Sequence, residues 1–382
     1  MPYTPPVVNY NSGTNSTWYS LTGVQSVNIR RGRQRFQDPI TQSSMVVELI
    51  PANSYTLPLA IGQTIEVRDA NTATSPCYFQ GRITDVQRSY SYPYNSSTGS
   101  APADRITITA TGAIGAIGTS QVSNYFMTST YAWYSISNLA ATQGVTWDYT
   151  ADVNDVRNSF QTLNGSALDI INKLLQTAQL TIDEKATQRS VVPTPMVITT
   201  YATGTNLNDI TFTDTGTGYA YTGLEFLSSV QNTFNWVQVS AEGVGDFVTN
   251  SGSTPYNSLV YDTYSIDSTE SASLSSYLYN LLSGQVAPAP YLVSTSTTAS
   301  PTCMVLARWL LSGTTTADPI MGQRVGVTFR GSTTYGTVVG VNAAFYPDRG
   351  NVQLYLAPSL GVPFTLDSST FGVLDQNRLG YP

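Results

Sequence analysis

A strand pattern in the first third of the chain returns near its C-terminus. Ile61-Gly62-Gln63-Thr64-Ile65-Glu66-Val67 is answered by Met321-Gly322-Gln323-Arg324-Val325-Gly326-Val327. Gly81-Arg82-Ile83-Thr84-Asp85-Val86 is then answered by Gly336-Thr337-Val338-Val339-Gly340-Val341. Each copy runs on through a polar loop ending in Asp-Arg, at Asp104-Arg105 and Asp348-Arg349. Each finishes on alternating apolar positions: Ile106, Ile108 and Ala110 in one, Val352, Leu354 and Leu356 in the other. Tyr219 to Leu224 (YAYTGL) gives a fainter echo of Tyr19 to Val24 (YSLTGV). Element order is kept while loop lengths change, as expected for two copies of one β-unit in a single chain.

The first copy, residues 19–118, carries runs at Val24–Ile29, Met45–Ile50, Ile61–Val67, Tyr78–Val86 and Arg105–Thr111. Their alternation and β-branched content predict a half-buried antiparallel sheet with enough strands to close a small barrel. Gly81 within its strand predicts a bulge or bend. The Pro-, Asn- and Ser-rich residues 1–18 read as an extended N-terminal arm.

From 119 to 204 the pattern changes to a small α+β insert. Helical periods are expected over Trp133–Gln143, with Gly144 just beyond the end, and after Ser166. Ser166 can cap that second helix with Asp169 in the capping-box position, and Leu168, Ile171, Leu174, Leu175 and Ala178 share one face. The second copy spans 205–360, with a strand at Asn235–Val239. It is interrupted at about 243–318 by a helical insert: one helix at Ala272–Leu282, another from Pro301 to Ser312-Gly313. Strands at 323–329, 335–342 and 351–357 complete it, and 361–382 form a C-terminal segment. The fold class is therefore mainly β with α+β inserts.

Several chemistries are excluded by what the chain lacks. It contains no histidine, which removes Ser-His-Asp and Cys-His mechanisms and histidine-ligated metals. Cys77 and Cys303 make neither a disulfide framework nor a zinc site, and Cys303 reads as a small buried hydrophobe. The closest carboxylate pairs, Asp152 with Asp155 and Asp183 with Glu184, stand at element boundaries, where acids cap and turn the chain. Asp262, Asp267 and Glu270 lack the spacing of a calcium loop. The Gly112–Gly118 run has the wrong spacing for a dinucleotide loop and reads as an exit linker. No catalytic residue, metal or cofactor is expected.

A net charge of −7 argues against general nucleic-acid binding. Charged residues make up 11% of the chain, against about 25% in an ordinary soluble domain, and 25 tyrosines help to fill their place. A surface so weakly ionic suits a component of an assembly. Tyrosine serves strands and interfaces equally well, and it could also stack on sugars. No run of 18 apolar residues is present, so no membrane span is expected. Met1–Gly13 shows no signal-peptide pattern, which predicts assembly in a cytoplasm. Arg30-Arg31-Gly32-Arg33-Gln34-Arg35 is the one basic cluster, either a contact for an acidic partner surface or a solvated hairpin tip. Phe364, Phe371, Leu374 and Leu379 follow Pro358 and Pro363; so apolar a tail should dock on its own domain or on a neighbour. Arg31, Arg33, Arg35 and these four are the candidate assembly residues.

Three stretches resemble the minor tail or tail-hub proteins of tailed bacteriophages, in the broad baseplate-hub family. They are Val27–Arg33 (VNIRRGR), Phe79–Asp85 (FQGRITD) and the ending Phe364–Tyr381. The resemblance implies two tail-tube-like β-barrels with smaller inserted domains. It also implies a homotrimer at the distal end of the virion tail, bound to a tail-tube hexamer and the tape measure protein, with a central fibre or spike as a further neighbour. Three chains with two units each would present six similar units to a six-fold ring, and DNA could pass through the lumen without specific binding. Unlike hubs that carry a cell-wall hydrolase, the chain shows no hydrolase pattern in its sequence, and host-wall digestion by this subunit is not expected. A receptor- or carbohydrate-binding tail-tip protein is the alternative.

Overall fold

A computed structural model describes residues 3–11, 17–35, 37–50, 59–72, 75, 77–89, 105–128, 131–142, 146–149, 161–178, 180–185, 197–202, 210–214, 219–227, 234–241, 243–250, 252, 257–265, 267–283, 287–295, 321–322 and 324–358. The first copy contributes β1 (Val7–Asn11), β2 (Trp18–Ser20), β3 (Val24–Gly32), β4 (Ser44–Leu49), β5 (Thr64–Arg68), β6 (Cys77–Ser89) and β7 (Arg105–Thr111). Next come α1 (Ala113–Gly118), β8 (Gln121–Met127), α2 (Ala132–Thr142), β9 (Thr146–Tyr149), β10 (Gln161–Ser166), α3 (Ala167–Ala178), β11 (Leu180–Lys185) and β12 (Val197–Ala202). The remainder holds β13 (Ile210–Thr213), β14 (Tyr219–Ala220), β15 (Gly223–Leu227), β16 (Trp236–Ala241), β17 (Gly245–Asn250) and β18 (Ser258–Thr263). It ends with α4 (Ser268–Leu282), β19 (Ala287–Thr295), β20 (Arg324–Phe329), β21 (Ser332–Phe345) and β22 (Arg349–Pro358).

The two copies have the same strand order. β3-β4-β7-β6-β5 in the first is matched by β15-β19-β22-β21-β20 in the second. The match extends to irregularities. β6 and β7 slip register between Ile83 and Asp85, and β21 and β22 slip between the counterparts Val338 and Gly340. The amide of Gly62 donates to the carbonyl of Ile83 at 2.8 Å, and its counterpart Gly322 donates to Val338 at 2.8 Å. A bulge kept at the same place in both copies is a feature of the unit, one that bends the strand there.

Gly81 itself lies two residues before the bulge, and its role is close approach. A Cβ there would overlap the Thr111 carbonyl, and at its counterpart Gly336 would come 3.0 Å from the Ala357 carbonyl. Pairing also shifts the fainter echo. Glu48 pairs Ser26 as its counterpart Tyr291 pairs Gly223, so Gly223 matches Ser26, three residues beyond Gly23. A slip between Val24 and Ser26 in β3 accounts for part of the difference.

The copies are fused edge to edge. β21 pairs β3 antiparallel from Gly340↔Gly32 to Phe345↔Val27, making one 14-stranded sheet. No closed barrel is detected among the described residues. One apolar core runs through both copies, from Val8, Ile29 and Ile108 to Val325, Val338 and Leu354.

Three expectations change. The N-terminal arm is a strand: β1 pairs β5 and β2, and Val8, Asn9 and Tyr10 are buried. Upstream, the Tyr3 hydroxyl donates to the Tyr346 carbonyl at 2.9 Å, so the segment crosses both copies. β16 does not extend the second copy's sheet. It lies in a separate sheet, β17-β16-β18, under α4, because Val237 and Val239 face Leu274, Leu278 and Leu281. The excursion is thus α+β and already under way at 236, whereas β19, read as part of the insert, belongs to the main sheet. Finally, the glycine run after β7 is the short helix α1 rather than an irregular linker, with Ile114 and Ile117 buried.

The middle insert packs α1, α2 and α3 around Ile136, Leu139, Ile171 and Leu174, all 1% exposed or less. The Asp169 amide reaches the Ser166 hydroxyl at 3.5 Å, the capping contact expected there. α3 also ties the insert to the first copy, since Asn172 Oδ1 accepts from the Ile40 amide and Nδ2 donates to the Ile40 carbonyl, at 3.2 and 3.3 Å.

Candidate functional site

The arginine cluster lies where the copies fuse, and two of its four arginines, Arg31 and Arg33, are buried, while Arg30 is exposed. It ends β3, whose alternation turns Arg31 into the protein, and the left-handed Gly32 (φ 70°) redirects the chain. Arg31, 5% exposed, donates from Nη2 to the Glu184 carbonyl at 2.7 Å. Arg33, 9% exposed, donates to the Asp38 carbonyl at 3.3 Å, and its amide donates to the Val339 carbonyl at 2.8 Å. Burial lowers its pKa, against the pull of Tyr261 and Asp38. Arg35 is half-buried, the most accessible of the three, and forms a 2.8 Å ion pair with Asp38. The basic cluster is thus two internal struts, one solvated ion pair and the exposed Arg30.

Glu184 is the insert's answer to this strut, and sequence reading cast it only as a boundary acid. Its backbone accepts from Arg31, and its Oε1 accepts from the Ile114 amide at 2.6 Å. Because the N-cap of α1 is Gly112, with no side chain of its own, the carboxylate supplies the missing acceptor. A glycine before a short helix, facing an acid from a distant strand, is a signal only the fold reveals.

A second polar group lies under the first copy. Arg68 and Glu66 form a 2.7 Å ion pair with side chains 2% and 0% exposed. Arg68 Nη1 donates to the Ser75 carbonyl at 2.7 Å, and Asn9 on β1 donates to Glu66 Oε1 at 3.4 Å. Beside them the Cys77 thiol is pushed up to about 12 by burial, with Arg68 opposing. The alternation of Glu66 and Arg68 on one strand face was the available sequence signal.

A thiol held neutral in the fold ionises first in the unfolded chain, so its contribution is complete below about pH 8.5 and lost as pH rises towards 12. Tyr261, also raised to about 12 by burial, acts in the same direction from a higher starting point. Stability should therefore fall above pH 9, and Cys77→Ala should flatten the fall. Urea midpoints at about pH 8 and pH 10.5 test this; equal drops in parent and variant would refute the thiol's share.

Two of the acids considered for catalysis or metal binding, Glu184 and Asp267, do structural work. Asp267 caps α4, accepting from the Thr269 and Glu270 amides at 2.7 and 3.1 Å. No group of metal-ligating side chains occurs among the described residues. No described helix is long and apolar enough to cross a membrane. Asp152, Asp155, Gly144, Cys303, the expected helix at 301–313, and Phe364, Phe371, Leu374 and Leu379 lie outside the described residues.

No protein-family model matches the sequence, and no curated protein matches it. Solved structures do. The 43 kDa tail protein of prophage MuSo2 from Shewanella oneidensis is matched over 92% of this chain and 97% of its own, with TM-score 0.57 and 11% identity. A tail protein from Neisseria meningitidis is matched over 92% and 96%, with TM-score 0.58 and 11% identity. An E. coli type VI secretion component described as similar to T4 bacteriophage tail proteins is matched over 92% and 77%, with TM-score 0.52 and 11% identity. The chain has the fold of phage tail proteins.

Proposed function

We propose that this chain is a structural, non-enzymatic hub protein of a bacteriophage tail, acting as a homotrimer at the distal end of the tail tube. The observation that carries this reading is the duplicated unit, with strand order and bulge kept in both copies. Three chains then offer six similar strand units to a six-fold tube and a three-fold face to whatever lies beyond it. In this reading each unit closes as a tube-like barrel in the assembled ring, and neighbouring units cover one another's edges. The tail-tube hexamer and the tape measure protein contact the tube side, and a central fibre or spike takes the other side. Arg35 and the apolar tail residues Phe364, Phe371, Leu374 and Leu379 serve as contacts; Arg31 and Arg33 brace the junction from inside.

The fold likeness to tail proteins supports the reading, as does a surface low in charge. Contacts between subunits should be obligate in character, roughly 2,000 Å² or more per pair. Imaging of the particle with this subunit labelled tests the proposal. Density for three copies at the distal tail end is expected. Label at the tips of fibres, with saturable glycan binding by the purified chain, would replace the hub with a receptor-binding role.

A further inference from the structure

The fusion of the two copies leaves one half-site of the same kind at each end of the chain. In the second copy, Thr337 on β21 pairs Arg324 of β20 on one side and Ala357 of β22 on the other. Past that point β20 ends, and β3 takes over its side of β21 from Gly340 to Phe345. In the first copy, Arg82 on β6 pairs Thr64 of β5 and Thr111 of β7 in the same way. Past that point β5 ends too, but no described strand follows it. β15, the counterpart of β3, correspondingly pairs only β19 among the described strands.

Burial records the difference. Val339, Gly340, Val341, Ala343 and Phe345 are buried on β21. Their described counterparts Thr84, Asp85 and Arg88 are exposed, and Val86 is half-buried. An edge with no partner among the described strands is a template for another strand, and its Asp and Arg are residues that discourage indiscriminate pairing.

We infer that the outer edge of β6 pairs antiparallel with β15 of a second copy of this chain, repeating between molecules the β21–β3 junction seen within one. This rests on the ring reading above and names the contact that would build it. The register follows from the counterparts. Gln87 stands for Asn342, Arg88 for Ala343 and Ser89 for Ala344; Leu227, Phe226 and Glu225 stand for Arg30, Ile29 and Asn28. Gln87 therefore faces Leu227, Arg88 faces Phe226 and Ser89 faces Glu225. The counterpart of Gly340 is Asp85, so the tight glycine contact at the start of the internal junction is not repeated, and pairing begins at Gln87. Because the two edges differ, the contact is head-to-tail, and it closes into a ring when the turn per chain allows.

Cysteine pairs read the register. Directly opposed positions bring Cβ atoms to about 4.5–5.5 Å, whereas positions offset by two stand about 7–8 Å apart. Full-length Ser89→Cys chains, mixed with Glu225→Cys chains and oxidised, should give intermolecular dimers. A chain carrying both should give a covalent ladder ending at three. The offset mixture, Gln87→Cys with Glu225→Cys, should cross-link several-fold less. Sedimentation of the same samples and oxidation in purified particles complete the test. Trimers in which the opposed pair does no better than the offset pair would overturn the β6–β15 contact and leave the ring reading standing. Chains that neither cross-link nor self-associate, in solution or in particles, would overturn both.

Discussion

Gly32→Ala will destabilise the chain more than any other single alanine substitution at the seam between the copies. Two costs meet at that residue. Its φ of 70° is left-handed, and a Cβ would overlap the backbone carbonyl of Val339, which already accepts from the Arg33 amide. Neighbouring glycines separate the costs. Gly62 has a φ of 86° with nothing within 4 Å of a Cβ, so Gly62→Ala bears only the conformational cost, about 1–2 kcal/mol. Gly340 has no left-handed φ, yet its Cβ would overlap the Arg33 carbonyl. Gly340→Ala bears only the steric cost, about 1–3 kcal/mol for forced overpacking. Gly32→Ala should approach their sum, roughly 2–5 kcal/mol. Chemical denaturation of the three variants checks the order. A Gly32→Ala loss no larger than that of Gly62→Ala would mean that the strands separate freely there, and the fused seam would not be the rigid element described.

The seam also explains what the sequence could and could not disclose. Paired motifs such as Ile61–Val67 and Met321–Val327 are local, so the duplicated strands were legible from spacing alone, whereas the shared bulge lies two residues beyond Gly81, the position where it was expected. Helix α3 was equally legible, because Ser166 offers a cap and Leu168, Ile171, Leu174 and Leu175 follow a helical period that the insert's core then uses. Pairing between distant strands leaves no such trace. Nothing in Val24–Gly32 announces that its far edge meets β21, and the fusion depends on two glycines whose role is to be absent of side chain. The arginine cluster misled for a related reason. Consecutive arginines read as a contact for an acidic partner or a solvated hairpin tip, but strand alternation turns Arg31 inward and the Gly32 turn places Arg33 against Asp38 and near Tyr261. The N-terminal residues likewise looked like an arm, because Asn9 and Asn11 are polar; both are buried, and Asn9 bonds to Glu66.

That buried polar layer yields the other large effect. Arg68→Met should cost roughly 3–5 kcal/mol, because it leaves the Glu66 carboxylate, 0% exposed, without its cation. Glu66→Leu should cost a similar amount by stranding the guanidinium, and it also removes the acceptor for Asn9. Removing both charges is a different matter. The double variant Arg68→Met/Glu66→Leu deletes an ion pair whose desolvation offset much of its attraction, so it should be markedly more stable than either single variant. Since Glu66 links β5 to β1, the Glu66 variants should also loosen the N-terminal strand, seen as faster hydrogen exchange over Val7–Asn11 than over β5 itself. Arg68→Met keeps the Glu66–Asn9 contact, and in it β1 should stay protected. Denaturation midpoints for the two singles and the double close the cycle. Additive losses would show that the two charges act independently, and the pair would then be an accident of packing rather than the clamp that holds β1 to the sheet.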